Sequence, residues 1–160
     1  MEKTFSEAIE QRRSTPSFDG KPIPDADLER ILDAGLGSPS GFNLQPWRFI
    51  VVRTPEQLRR LRAAAFNQAN VAEASVVIAA CGDKDSWRTD TEEMIRMGLE
   101  RGMTENYAES ARVSIREYLG DHPNFAAWLN RQVMVAVTTM MWLAEVLGYD
   151  TALTEGFEPE

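Results

Sequence analysis

Residues 38–52 read Ser-Pro-Ser-Gly-Phe-Asn-Leu-Gln-Pro-Trp-Arg-Phe-Ile-Val-Val, and this stretch decides the fold because it joins a turn-rich loop to an apolar run. Three residues of the loop restrict or free the backbone: Pro39, Gly41 and Pro46. Four others supply hydrogen-bonding groups that a plain connection does not need: Ser38, Ser40, Asn43 and Gln45. The run 49–52 predicts a buried strand. The stretch is typical either of a simple connection or of a binding loop that leads into a strand.

Length and composition limit what the chain can be. With 160 residues, 43% of them hydrophobic, it can form one core and is too short for two, so we expect a single domain over residues 1–160. Its 17 basic and 25 acidic residues give a net charge of -8, which argues against nucleic acid or an anionic membrane as partner. A single cysteine and the lack of an N-terminal signal pattern predict a cytoplasmic protein.

Capping signals and hydrophobic periodicity predict six elements along the chain. We place them at residues 5–13 (helix), 25–37 (helix), 49–52 (strand), 55–65 (helix), 75–81 (strand) and 125–147 (helix). Capping boxes begin at Thr4 and Thr54, while Asn124 and Gly148 bound the last helix. The charged segment 83–121 predicts at best amphipathic helices. Alternating strands and helices indicate an α/β or α+β fold.

The predicted helix at 125–147 is apolar on nearly all sides and roughly 35 Å long. A helix of this kind is buried in the centre of a domain or shared with a second subunit. Its longest uncharged run, residues 132–144, is too short to span a bilayer.

The tripeptide Arg12-Arg13-Ser14 follows the first predicted helix. Two guanidinium groups and a hydroxyl form a donor set that suits a phosphate. The alternative is a pair of solvated cations that face the carboxyl end of the helix dipole.

The arginine pair and the loop at 38–47 are spaced as in the nitroreductase family, and the stretch 10–52 resembles the N-terminal half of that family. Its members are flavoenzymes that carry FMN. The resemblance implies an α+β, nitroreductase-like fold with a central, mostly antiparallel sheet flanked by helices. It also implies a homodimer, with the long helix buried at the dimer interface.

The same resemblance assigns cofactor-binding residues. One edge of FMN is assigned to Arg12, Arg13 and Ser14. The partner subunit is assigned Pro39, Ser40, Gly41 and Asn43 at the same cofactor, so the site is shared between two chains. Gln45 of the same loop is a further predicted cofactor-binding residue. No metal ligand set and no catalytic side chain are expected, because the flavin carries the chemistry.

Asn67 and Asn70 resemble family residues that touch the pyrimidine edge of the flavin, although surface asparagines in a turn would look the same. Some members carry lysine at the position of Asn70. Loss of that cation is expected to lower the reduction potential of the flavin. Residues 147–157 resemble the second family signature, which brings the backbone of Glu155 and Gly156 near the reactive N5 atom. Leu153 stands where the family often has proline.

Two residues that could bind metal or act as nucleophiles have simpler interpretations. His122 precedes Pro123 and has no cysteine or carboxylate cluster around it, so a structural role is expected. Cys81 ends an apolar strand and is expected to be a small buried side chain. The sequence contains neither a Gly-x-Gly-x-x-Gly fingerprint nor a P-loop lysine motif, so nicotinamide would stack directly on the flavin.

The activity implied by the resemblance is FMN-dependent oxidoreduction with NADH or NADPH as donor. In its ping-pong cycle NAD(P)H gives a hydride to flavin N5, and a small-molecule acceptor then takes the electrons. Nitroaromatics and quinones are the usual acceptors, while other members reduce enones, remove halogen or degrade flavin. Residues 83–121 are expected to choose among these acceptors.

The chain ends soon after the second signature, where family members continue with another core strand and a basic tail. A complete chain would lack a phosphate contact, whereas a truncated one would leave the enzyme interpretation unchanged. Two rival hypotheses are a flavin-binding or dimerising protein without turnover, and a structural α+β domain that binds no flavin.

Overall fold

The computed structural model describes residues 2–158, which form two compact units. The first unit contains residues 2–35, 49–79 and 137–158, and the second contains residues 36–48 and 80–136. Each unit has its own buried cluster of apolar side chains. The single domain expected from length therefore stays a prediction.

Ten regular elements and one 3₁₀ turn occur along these residues. They are α1 (Phe5–Gln11), α2 (Asp25–Leu36), the 3₁₀ turn (Gly41–Asn43), β1 (Trp47–Val52), α3 (Pro55–Ala64), α4 (Ala69–Glu73), β2 (Val77–Gly82), α5 (Ser86–Thr89), α6 (Thr91–Glu100), α7 (Glu105–Gly120) and α8 (Phe125–Val146). Strands β1 and β2 pair antiparallel, and the Asp83 N–H donates to the Pro46 carbonyl at 2.9 Å beyond their ends. The α+β prediction is confirmed, and the named strands of the described part form a sheet of two.

The predicted helix starts are set by side-chain caps. At α1 the Glu7 N–H donates to the Thr4 hydroxyl at 3.3 Å, and the Thr4 N–H donates to the Glu7 carboxylate at 2.8 Å. This reciprocal capping box lowers the pKa of Glu7, chiefly through the bond from the Thr4 backbone. At α3 the Thr54 hydroxyl accepts from the Gln57 N–H at 3.3 Å, while the Gln57 side chain meets that hydroxyl rather than the Thr54 amide. At α3, therefore, only one of the two hydrogen bonds of a capping box forms.

Helix α1 ends two residues earlier than predicted. Arg12 has an extended ψ of 129°, so it lies outside the helix. Its N–H still donates to the Ala8 carbonyl and completes the last helical hydrogen bond. Arg13 and Ser14 consequently lie in the segment that follows α1, where Ser14 pairs with Thr151 in an isolated parallel bridge.

The core of the first unit forms where α2 and the last turns of α8 meet. Ile31, Met140 and Ala144 are buried there. Partly buried side chains pack around them: Leu32, Phe49, Ile78, Val137, Leu143, Leu147 and Tyr149. The Tyr149 hydroxyl donates to the Asp27 carboxylate at 2.5 Å, and this bond raises the pKa of Tyr149. The residues after α8 are thereby fixed to α2.

The core of the second unit is built largely from the segment 83–121, which folds into α5, α6 and α7. Its buried residues are Leu44, Met94, Ile95, Ala108, Ile115, Leu119 and Trp128. Helices α6 and α7 are also joined at their surface, where the Arg112 guanidinium meets Glu92 at 2.9 Å. Apolar faces on two helices, rather than a continuous apolar run, supply this core.

Helix α8 is less enclosed than its composition suggests. Met134 and Val135 are 39% and 41% exposed, although Trp128, Ala136 and Met140 on the same helix are buried. The alternative that this helix is shared with a second subunit stays open. Among residues 2–158, the helices are too short or too polar to cross a membrane.

The expectation that Cys81 is buried was wrong. Its side chain is exposed, because the last three residues of β2 all lie at the surface. The apolar run 75–81 predicts a strand correctly but does not show which end of that strand is covered.

A buried carboxylate fixes the N-terminal segment to the first unit. Glu145 of α8 is only 3% exposed and pairs with the Lys3 ammonium at 2.7 Å. The Lys3 N–H also donates to the Val146 carbonyl at 2.8 Å. A carboxylate this deeply buried needs a cation, because an unpaired buried charge is strongly destabilising.

We predict that Lys3→Met lowers the free energy of unfolding by about 3 kcal/mol, since it leaves the Glu145 carboxylate buried without a partner. Urea unfolding at neutral pH measures this change. The double variant Lys3→Met/Glu145→Leu should recover most of the loss because it removes the charge as well.

The matched control is Lys21→Met. Lys21 pairs with Asp19 at the surface, where the two side chains are 84% and 64% exposed. This variant should unfold like the parent protein. Equal unfolding curves for the Lys3 variant and this control would contradict the proposed role of the buried pair.

Candidate functional site

The loop ahead of β1 has an unusual backbone. Phe42, Asn43 and Gln45 have φ values of 57°, 56° and 47°, in the left-handed region that residues with a side chain seldom occupy. Such conformations persist only where neighbouring groups hold them, and they are concentrated at functional sites. Of the three, only Asn43 is of a residue type that tolerates this conformation well.

Hydrogen bonds hold the loop in this conformation. The Gln45 N–H donates to the Ser40 hydroxyl at 2.8 Å, and the Asn43 N–H donates to the Ser40 carbonyl at 2.9 Å. From α8, the Gln132 amide oxygen accepts the Gly41 N–H at 2.7 Å. Glycine at residue 41 leaves room for the Trp128 ring, because a Cβ there would lie 3.0 Å from the ring and would require it to shift by a few tenths of an ångström. Gln132 is a functional candidate that sequence reasoning missed, since its position inside a helix gives no signal.

The predicted site residues of the loop divide into two groups. Gln45 is half-buried and its amide nitrogen donates to the Leu36 carbonyl at 3.1 Å, so this side chain serves the loop itself. The Ser40 hydroxyl likewise accepts a loop amide. Pro39 and Asn43 are exposed. The Asn43 side chain is therefore the part of the loop best placed to meet a ligand.

An ion pair fixes the carboxyl end of the loop. The Arg48 guanidinium lies 2.9 Å from Asp83 and 2.8 Å from Asp90. Partial burial raises the pKa of Asp90, but hydrogen bonds from Arg48 and Thr89 outweigh it, so the pKa lies below the usual carboxyl value. Asp90 therefore stays ionised at neutral pH, and together with Asp83 it holds Arg48 in place.

The arginine segment belongs to the first unit. Ser14 forms the bridge to Thr151, and the Thr15 N–H donates to the Thr151 carbonyl at 3.1 Å. Arg12 is half-buried, whereas Arg13 is exposed and donates to the Glu10 and Arg12 carbonyls at 2.9 and 2.8 Å. Within residues 2–158, neither guanidinium has a carboxylate partner. Their remaining donors are available to an anion.

Next to Ser14 lies a polar atom that sequence reasoning missed. The Thr151 hydroxyl is buried and has no hydrogen-bond partner among the described residues. A buried hydroxyl without a partner costs free energy unless a ligand or water supplies the bond. Threonine in an extended segment is ordinary, so the sequence gives no sign of this.

The Asn67 turn and the second signature lie together in the first unit. Phe66 and Asn67 are both left-handed, with φ values of 51° and 59°. The Arg62 carbonyl accepts the Asn67 N–H at 2.9 Å, and the Gln68 amide nitrogen donates to the Gly156 carbonyl at 2.9 Å. Asn67 is exposed. The structure thus brings Asn67 and Gly156 into one neighbourhood.

Two further predicted residues differ in their surroundings. Asn70 is half-buried on α4, a short helix that the sequence did not predict. Glu155 is exposed in the segment after Thr151. The first unit therefore contains Arg12, Arg13, Ser14, Asn67, Asn70, Glu155 and Gly156, and the second contains Pro39, Ser40, Gly41, Asn43 and Gln45.

A cleft of about 270 Å³ opens in the second unit beside the loop. Its lining comes from the loop and from α6, α7 and the turn between them: Phe42, Asn43, Met94, Gly98, Met103, Tyr107 and Ala111. Five of the seven lie in the segment 83–121. Sequence reasoning assigned acceptor choice to that segment but identified none of these residues.

Known proteins resemble this chain over most of its length. Residues 9–160 match the sequence model of the nitroreductase family. The NADH dehydrogenase of Thermus thermophilus is 34% identical over 150 residues, which cover 94% of this chain and 72% of that protein.

Solved structures resemble the backbone as well. A nitroreductase-like protein from Streptococcus mutans has a TM-score of 0.86 at 27% identity and covers 96% of this chain and 76% of its own. A protein from Exiguobacterium sibiricum, solved in complex with FMN, has a TM-score of 0.83 at 26% identity and covers 98% and 76%. The predicted nitroreductase-like fold is confirmed. Because the family's sequence model spans nearly the whole chain, this protein belongs to the nitroreductase family.

Proposed function

We propose that this protein is an FMN-dependent oxidoreductase that uses NADH or NADPH to reduce a small-molecule acceptor. The proposal rests on the hydrogen-bond donors in the segment around Ser14. Arg12 and Arg13 have no carboxylate partner within residues 2–158, and the hydroxyl of Thr151, whose backbone pairs with Ser14, is buried without a bond. Guanidinium and hydroxyl groups together suit a phosphate monoester such as that of FMN.

The remaining contacts to the cofactor are proposed from the hydrogen-bonding groups that each residue offers. Asn67, Asn70 and the backbone of Glu155 and Gly156 offer amide donors and acceptors suited to the polar edge of a flavin ring. When bound, FMN would accept a hydride from NAD(P)H and pass two electrons to the acceptor, which also takes up protons. The chain's own residues bind and orient the cofactor and set the charge around it.

A second copy of the chain completes the site in this proposal. In the loop of the partner, the exposed Pro39 and Asn43 would contact the same flavin. Ser40, Gly41 and Gln45 would hold that loop in place through their hydrogen bonds. Exposed apolar residues of α8, Met134 and Val135, support a homodimer, because a subunit interface would cover them. The left-handed loop supports the assignment because its hydrogen bonds keep Asn43 exposed and fixed.

Nitroaromatics, quinones and related compounds are the proposed acceptors, and the cytoplasm is the proposed location. The FMN complex of the Exiguobacterium sibiricum protein supports the cofactor, and the name of the Thermus thermophilus protein supports NADH as donor. A net charge of -8 disfavours nucleic acid as a partner.

The first test is the visible spectrum of the protein after incubation with FMN and desalting. We predict a retained flavin band that bleaches on anaerobic addition of NADH or NADPH and returns when a quinone is added. A retained band that neither donor bleaches would support a flavin-binding protein without turnover. Loss of the band on desalting would contradict the proposed cofactor.

The phosphate assignment predicts that Arg12→Ala/Arg13→Ala weakens FMN binding by at least a hundredfold, because two charge-assisted contacts are lost. Fluorescence titration of FMN measures the dissociation constant. Size-exclusion chromatography should show the same elution volume as the parent protein, since neither guanidinium forms an ion pair within residues 2–158.

Arg59→Ala/Arg60→Ala is the matched control. These neighbouring arginines lie on the exposed side of α3, so the control removes the same two charges from the same unit. Its FMN affinity should stay within about twofold of the parent value, because surface charges are largely screened. If both double variants lost affinity equally, net charge rather than a phosphate site would be responsible.

The position of Asn70 predicts an effect on redox potential. Asn70→Lys would place a cation near the flavin, stabilise the anionic reduced form and raise the midpoint potential by tens of millivolts. Anaerobic dye titration measures the potential. Asn106→Lys adds the same charge to an exposed site on α7 and should leave the potential unchanged. An unchanged potential in Asn70→Lys would remove Asn70 from the flavin site.

A further inference from the structure

The turn that ends α6 directs one side chain back onto the helix. Gly102 has a φ of 96°, the Gly102 N–H donates to the Leu99 carbonyl at 3.1 Å and the Met103 N–H donates to the Gly98 carbonyl at 2.9 Å. This pair of bonds is a Schellman motif, in which the residue after the left-handed position packs against the last turn of the helix. Met103 occupies that place.

Met103 uses space that only a glycine leaves open. A Cβ on residue 98 would lie 3.1 Å from the Met103 sulfur and closer still to its terminal methyl group, but 3.5 Å from its Cβ. The steric conflict thus involves the sulfur and the terminal methyl group of Met103, but not its Cβ. Any larger residue at position 98 would push the thioether away from α6.

Both residues line the cleft, so a change in their contact would alter the space inside it. The lining contains two aromatic side chains, Phe42 and Tyr107, the polar amide of Asn43 and the thioethers of Met94 and Met103. None of the described lining side chains is charged. Thioethers and aromatic rings favour planar apolar ligands, and an anion would find no cationic partner here.

We propose that this cleft binds an uncharged, planar aromatic acceptor, and that Met103 folded over Gly98 determines how large that acceptor can be. The inference rests on the proposed function for the transfer of electrons to the acceptor. Binding of the aromatic compound in the cleft does not depend on that transfer. Gly98 and Met103 are specificity-determining residues in this proposal rather than catalytic ones.

The binding test uses the full chain, with and without FMN, labelled with ¹³C at the methionine methyl groups. Nitrobenzene is the uncharged probe, and 4-nitrobenzoate is an anionic probe with the same reducible group. The Met103 methyl signal, assigned by Met103→Leu, should shift with nitrobenzene and at least tenfold less readily with 4-nitrobenzoate. No shift with nitrobenzene, or equal affinities for the two probes, would overturn the proposal.

Two substitutions test the role of the contact. Gly98→Ala should weaken nitrobenzene binding about tenfold, the usual scale for one methyl group in an apolar pocket, because the displaced thioether narrows the cleft. Gly98→Ala/Met103→Ala should restore the affinity, since only the end of the thioether conflicts with a Cβ at position 98. Unchanged binding in the first variant, or no recovery in the second, would show that Met103 does not set the depth.

Gly120→Ala is the matched control, because a Cβ at this site on α7 meets only the Trp87 ring at an ordinary 3.6 Å. It should bind nitrobenzene like the parent protein. Met103→Ala covers the case in which Gly98→Ala fails to fold, because it relieves the contact and should bind 1-nitronaphthalene more tightly than the parent does. A parent-like affinity for 1-nitronaphthalene would contradict the proposal.

Failure of the proposed function gives a different result from failure of this inference. If FMN is not retained or not bleached by NAD(P)H, the methyl shifts still report on the cleft. If the flavin is bleached but nitrobenzene does not shift the Met103 methyl signal, the acceptor site lies elsewhere. With working flavin, kcat/KM for nitrobenzene should fall about tenfold in Gly98→Ala, while the rate of bleaching by NAD(P)H stays unchanged.

Discussion

A left-handed backbone at three residues is the constraint on which the candidate loop depends. Phe42, Asn43 and Gln45 would each leave this conformation in a free peptide, because a side chain at positive φ costs of order 1 kcal/mol or more. Hydrogen bonds that the Gln45 and Gly41 N–H groups donate to Ser40 and Gln132 oppose that tendency. The burial of Leu44, which follows Asn43, adds an apolar contact on the inner side of the loop. The exposed Asn43 side chain thus belongs to a loop whose backbone is fixed by hydrogen bonds and by the burial of Leu44.

The parts of the fold that the sequence predicts well are those set by local chemistry. The capping box at Thr4 and the caps at Thr54 and Asn124 start their helices as predicted. Helix α4 has five residues, too few to be stable alone, and burial of Val71 rather than propensity holds it. The amphipathic helices expected in the segment 83–121 do form, but their bounds could not be predicted because their apolar faces are stabilised by packing on residues distant in sequence, such as Leu44 and Trp128.

The residues of the candidate site likewise divide into those that the sequence predicts and those that only the structure reveals. Arg12, Asn43 and Gly156 could be named from the sequence, but only through a family resemblance, because isolated arginines and asparagines have many surface roles. The buried hydroxyl of Thr151 and the amide of Gln132 could not be named, since their importance lies in which atoms surround them. Left-handed φ values at Phe42 and Gln45 were equally hidden, because neither residue type favours them.

The turn after α6 has a consequence for how this protein can diverge. Its shape is fixed by backbone bonds and by Gly102, so the identity of residue 103 is not needed to form it. Mutation at residue 103 can therefore alter the cleft in small steps while the helix ends where it did. The proposed phosphate contacts come from the arginine segment, which shares no residue with this turn. If the cleft binds the acceptor as proposed, a lineage could exchange one acceptor for another here while the residues of the cofactor site stay the same.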